Sequence, residues 1–188
     1  MYVFAGAGMT EEEKYANLMP KLLKAAAEND WDNVESLICL NEVIMEDGLK
    51  RVYPLLPPEY KYKIPTRCYT NHGDGIPMVR KYVRQARKFV PVERRVPADL
   101  RALPEITVYR AGEEPITQAA NSISWTTSID VAKWFYHRAL TTPAPNRKLY
   151  QGTIQPDRII RYTDGRNEKE VMQYRAVKNI QEIDPDEV

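Results

Sequence analysis

Residues 123–138 read ISWTTSIDVAKWFYHR. The opening ISWT alternates apolar and polar as a strand does. Ser128 then stands where a helix N-cap belongs. Val131, Ala132, Phe135, Tyr136 and Ala139 recur at helical spacing, which predicts a helix over about 129–140. A strand, a cap and a helix thus follow one another in a single run. Two of the chain's three tryptophans, Trp125 and Trp134, sit in it among hydroxyls. Two readings stand open. Either Trp125, Trp134 and Phe135 are core around a strand end and a cap, or a small, partly apolar ligand binds at the turn.

Working outward, the residues after about 104 read as strands around this one helix. Alternating runs predict strands at 106–110, 123–126, 148–154, 158–162, 171–174 and 176–183. The first part reads helical. Thr10 followed by Glu11, Glu12 and Glu13 is an N-cap with a capping-box partner at Glu13. Tyr15, Leu18, Met19, Leu22, Leu23 and Ala26 continue at helical period. Pro20 predicts a kink or a later start. A second helix is expected over about 32–46. The segment 54–70, PLLPPEYKYKIPTRCYT, predicts an irregular connection because Pro and Tyr crowd it. A further helix is expected over about 76–89. Helices first and strands later give an α+β fold rather than alternating βαβ units. The expected organisation is a helical N-terminal region, 1–100, and a second region, 101–188, joined across a Pro-bearing stretch at 95–104.

Length and composition fit this. The chain has 188 residues, 43% of them hydrophobic, enough to form a core. Two cysteines, Cys39 and Cys68, make no disulfide framework and read as buried thiols. The start lacks a basic n-region, and no apolar run approaches the roughly 20 residues of a membrane helix. A cytoplasmic protein is the expectation, with no membrane partner. Net charge is +1 but unevenly spread: −6 over residues 1–60, +8 over 61–101 and −1 over 102–188. The basic segment 61–101 either binds an anionic partner such as nucleic acid or complements the acidic part of its own chain. His72 and His137 have no metal-ligand spacing, so no metal is expected. Ala5-Gly6-Ala7-Gly8 lacks the Lys-Ser/Thr of a phosphate loop.

Three stretches carry candidate chemistry. Glu168-Lys169-Glu170 opens a late strand; in an extended chain residues two apart share a face, so it is either a charged turn, with Arg166 upstream, or a pair of carboxylates. Val108-Tyr109-Arg110 ends a strand; Arg110 is either a solvated edge residue or a two-pronged clamp for phosphate or carboxylate. Ser124-Trp125-Thr126 offers hydroxyls that can orient a ligand or a carboxylate.

In their order and context these stretches resemble the Arg–Ser–Glu class of ADP-ribosyltransferases of prokaryotic or phage type. The likeness spans about 106–183. It includes the Ala132–Phe135 spacing of the helix and the run LYQGTIQPDRIIRYTDGRNEKEVMQ. The resemblance implies a split, two-sheet core with NAD between the sheets. Arg110, with Tyr109 beside it, would hold a phosphate and ribose of NAD. Ser124 and Thr126 would orient the nicotinamide ribose and the catalytic carboxylate, Glu170. Glu168 would face the acceptor, and an E-x-E implies arginine there. Phe135 would wall the pocket, while strand alternation turns Trp125 away into packing. The sequence departs from the family pattern at Ala111, where Gly is common, and at S-W-T, where S-T-S is common. Either Thr126 or Ser128 takes the last hydroxyl's place. Small bacterial and viral proteins of this kind act as toxins or host modifiers. Two alternatives remain: NAD cleavage with water or nucleic acid as acceptor, and a silent module that binds a partner through 61–101.

Overall fold

The structure is a computed structural model and describes residues 8–72, 77–138, 146–165 and 167–187. Its class is mixed α+β: among the described residues, nine α-helices and one six-stranded antiparallel sheet. The chain forms two compact units, Met1–Phe89 and Val90–Val188. The division falls ahead of the expected 100/101 because Val92, Val96 and Leu100 pack into the core of the second unit.

The first unit is helical. Helix α1, Glu11–Ala27, begins with the expected capping box: Thr10 Oγ1 accepts from Glu13 N, and Thr10 N donates to Glu13. The helix runs through Pro20. Ala16, whose carbonyl loses a partner, is exposed, so water can serve it. The helix expected over 32–46 is two helices, α2 (Trp31–Leu40) and α3 (Glu42–Val52). Asn41 separates them with an extended backbone, and its side-chain amide donates to Leu37 O at 2.8 Å.

The connection expected over 54–70 is instead largely helix α4, Pro58–His72. Pro58 suits a first turn. Pro65 inside the helix costs about 3 kcal/mol. Burial of Ile64, Cys68 and Tyr69 along one face offsets that cost. Between α2 and α4 lies Glu35, 2% exposed, with Lys63 at 2.7 Å and Arg67 at 2.9 Å. Cys39 and Cys68 are both buried and free. Helix α5, Pro77–Ala86, buries Val79, Val83 and Ala86; its expected beginning at Ile76 lies outside the described residues.

The second unit holds short helices α6 (Val92–Arg95), α7 (Ala98–Arg101) and α8 (Ile116–Ala119), and the longer α9 (Ile129–His137). Its strands are β1 (Ile106–Gly112), β2 (Ser124–Thr126), β3 (Lys148–Ile154), β4 (Ile159–Thr163), β5 (Glu170–Gln173) and β6 (Lys178–Ile183). They are ordered β4-β5-β2-β1-β3-β6. β1 pairs with β3 along its whole length, Ile106 to Gly112, but with β2 only at Tyr109↔Thr126. That single pairing is a thin seam between β2 and β1 within the one six-stranded sheet. Val108, Trp125, Tyr150, Ile159 and Val171 form the core on one face. Arg95, also buried, donates from Nε to Val90 O at 2.8 Å and from its guanidinium to Ile159 O. The basic segment 61–101 is therefore shared between the two units, and several of its charges serve their own chain.

Among the described residues no helix is long and apolar enough to cross a membrane.

Candidate functional site

The β2–β5 pairing sets the geometry. Thr126 lies opposite Glu170, Trp125 opposite Val171 and Ser124 opposite Met172. Opposed residues of an antiparallel pair share a face. Ser124, Thr126 and Glu170 therefore leave one face, and Trp125 and Val171 leave the other, into the core. Ser124 is diagonal to Glu170, and its Oγ donates to Glu170 Oε1 at 2.8 Å. The carboxylate is 8% exposed and its orientation is fixed by a hydroxyl from the neighbouring strand. Thr163 of β4 is opposite Glu170 on its other side.

The segment before β5 is not extended. Lys169 has φ +45° and Asn167 has φ +56°, both left-handed, a region that Asn tolerates and Lys adopts at a cost. The strand begins at Glu170. The same-face argument for Glu168 and Glu170 therefore fails: Glu168 lies half-buried ahead of the strand and Glu170 is buried within it. Several bonds hold the turn. Thr126 Oγ1 donates to Glu168 O at 2.7 Å, Thr127 N donates to Lys169 O at 3.1 Å, and Lys169 N donates to Asp164 Oδ1 at 3.2 Å. Arg166 lies outside the described residues.

Thr126 and Ser128 divide their work. Thr126 Oγ1 also accepts from Ser128 N at 3.1 Å, while Ser128 Oγ accepts from Val131 N as the expected cap of α9. The hydroxyl beside Ser124 on the strand is that of Thr126.

Tyr109 is opposite Thr126 and so shares the face of Ser124 and Glu170. Arg110 is opposite Tyr150, a core residue, and leaves from the other face. Its guanidinium bridges the seam: Nε donates to Glu114 Oε1 at 2.7 Å and Nη1 to Ser124 O at 2.9 Å. Burial alone would raise the Glu114 carboxyl, but the charge and hydrogen bond of Arg110, with help from Ser122, hold it below its ordinary value. Ser122 Oγ donates to Glu114 Oε1 at 3.3 Å, and the Tyr150 hydroxyl donates to Glu114 O.

The aromatics of the opening stretch separate. Trp125 is 2% exposed, and its Nε1 donates to Ser122 O at 3.0 Å. Trp134 is 55% exposed, with the Arg138 guanidinium 4.8 Å from its ring centroid. Trp134 is therefore not core. Phe135 is half-buried and meets Trp134 edge-on, ring centroids 4.9 Å apart. Ala139 lies outside the described residues.

Two cavities of 520 and 450 Å³ lie elsewhere in the second unit, one against Arg101 and Asp157, the other against His137 and Asp184. Ser124, Glu168 and Glu170 line neither. Among the described residues no group of three His, Cys, Asp or Glu side chains could hold a metal ion.

Sequence reasoning passed over Glu114. It sits in GEEP after the strand end, where neither helical nor strand periodicity applies. Gly112, two residues before it, gains meaning only in the structure, where a Cβ at 112 would lie 2.1 Å from Glu114 Oε2. Compared with known protein families, curated proteins and solved structures, the chain matches none.

Proposed function

We propose that this protein is a mono-ADP-ribosyltransferase of the Arg–Ser–Glu type, transferring ADP-ribose from NAD to a protein side chain, arginine foremost. The observation that carries the reading is the hydrogen bond from Ser124 to Glu170. It unites two residues far apart in sequence on one face of adjacent strands. The thin seam between β1 and β2 favours a split core. Tyr109 on the face of Ser124 and Glu170 also supports the reading.

The chemistry suits these groups. The bond between C1′ of the ribose and the nicotinamide nitrogen breaks, and its electron pair leaves with nicotinamide. Positive charge grows on the ribose as in glycoside cleavage. A carboxylate fixed beside the ribose, Glu170, gains interaction energy as that charge develops, so it stabilises the transition state more than the ground state. The acceptor nitrogen then bonds to C1′ and loses a proton, for which Glu168 is the base. Tyr109 and Phe135 would border the dinucleotide.

The test is incubation with labelled NAD and a bacterial lysate, beside Glu170→Ala. Label on discrete protein bands with the parent alone is the expected result. Free ADP-ribose without labelled bands would replace transfer by hydrolysis. Absence of NAD binding in a direct titration would overturn the reading.

A further inference from the structure

The family resemblance implies that Arg110 holds a phosphate of NAD. Its surroundings point to a different task. It leaves the strand on the face away from Ser124 Oγ and Glu170, and two of its N–H groups are engaged within the protein, by Glu114 and by the Ser124 carbonyl. Both members of the ion pair are about one-fifth exposed, at 22% and 21%. The Ser124 carbonyl lies just beyond the single backbone pairing of β1 with β2. There the guanidinium adds a side-chain bond across the seam. It ties down the same residue whose hydroxyl orients Glu170.

Glu114 is fixed in turn. Its carboxylate accepts from Arg110 and Ser122, and its backbone carbonyl accepts from the Tyr150 hydroxyl. The carboxylate folds back over the strand end, where only a glycine leaves room. A Cβ at Gly112 would meet Glu114 Oε2 at 2.1 Å and Cδ at 2.7 Å.

We propose that Glu114 is a positioning residue: through Arg110 it holds the Ser124 backbone at the seam, and so sets the Ser124 hydroxyl against Glu170. The inference rests on the transferase reading, because it concerns the same carboxylate. Gly112 belongs to the device as the position that admits the carboxylate. A clamp for phosphate would act in binding; a positioning pair acts after binding, since a misplaced reacting group is costly to rate.

The experiment measures nicotinamide release from NAD by the full chain, its Glu114→Gln variant and its Gly112→Ala variant, with thermal unfolding of each. Gln keeps the shape and loses the charge. Ala at 112 leaves the chemistry of Glu114 intact and displaces its carboxylate, the movable end of a side chain. In both variants kcat is expected to fall roughly tenfold to a hundredfold, with KM for NAD within about twofold and each variant still folded at the assay temperature. A Glu114→Asp variant, which keeps the charge, should lose less than Glu114→Gln. Unchanged kcat in both variants, with an active parent, would overturn the positioning role alone. A rise in KM at constant kcat would overturn it in favour of a binding role for the pair. A parent that neither binds nor cleaves NAD would overturn the transferase reading and this role with it.

Discussion

The hydroxyl of Ser124 donates to the carboxylate of Glu170 at 2.8 Å, across two strands that pair in antiparallel register. Neither residue alone distinguishes a site from an ordinary sheet. Together they join a buried carboxylate to a small side chain on the neighbouring strand, and that link can be removed without disturbing the core on the opposite face.

Ser124→Ala should do so. It deletes the hydroxyl from a partly exposed position and leaves Trp125 in place. A hydrogen bond to a charged group contributes about 1.5–3 kcal/mol. The expected result is a fall of roughly tenfold to a hundredfold in kcat/KM for NAD, with a drop of a few degrees in the unfolding temperature. Thr126→Ala should instead loosen the turn before β5, because Thr126 bonds the Glu168 carbonyl.

Acid should act through Glu114. Its folded carboxyl lies below the ordinary 4.5, since Arg110 and the Arg110 hydrogen bond outweigh burial. A depressed value favours the folded state wherever the unfolded carboxyl is ionised. That contribution is complete above about pH 4.5 and is lost as pH falls through the lower folded value. Glu114→Gln should flatten this part of the acid stability curve, measured by denaturant unfolding at successive pH values. An unaltered slope would contradict the ion pair.

Gly152→Ala should destabilise the second unit far more than Gly112→Ala. A Cβ at Gly152 would come within 2.3 Å of Val177 Cγ1 and 3.0 Å of the Lys178 carbonyl. Val177 belongs to the core and Lys178 begins β6, so neither yields easily. Overpacking of this kind costs about 1–3 kcal/mol. The expected outcome is a drop of several degrees in the unfolding temperature of that unit.

The thiols of the first unit should be silent in the native protein. Cys39 and Cys68 are fully buried, their Sγ atoms 2.8 Å apart. The hydrogen bond with Cys39, and burial after it, push the Cys68 thiol up. Thiolate is the reactive form. A thiol reagent at about pH 8 should therefore label neither cysteine until the helices unfold, and then label both. Fast labelling of one in the folded chain would contradict the packing.

Much of the fold is legible in the sequence where local chemistry and tertiary structure agree. Thr10 and Glu13 form the capping box, Ser128 caps α9, and Trp125 packs on the side that strand alternation assigns to it. The misses come where a distant partner decides. Helix α4 forms through two prolines because α2 supplies a surface for Ile64 and Cys68, and punctuation residues carry no record of that surface. Asn41 ends one helix by bonding Leu37, a choice that periodicity across 32–46 conceals. Within the candidate site, Ser124, Thr126 and Glu170 stand out from spacing and resemblance. Their registry, and the bridge from Glu114 through Arg110, arise from strands paired far apart in sequence and have no local signature.

The left-handed backbone at Lys169 makes this position permissive in chemistry and restrictive in shape. Its side chain is exposed, so charge and polarity there are free to drift. A φ of +45° penalises branching at Cβ, so Gly, Asn or Asp should be accepted and Val, Ile or Thr rejected. The offset between Glu168 and Glu170 is then preserved by the backbone of a residue whose side chain is exposed. A saturation library at 169 would sort by steric class alone, with acidic and basic residues interchangeable.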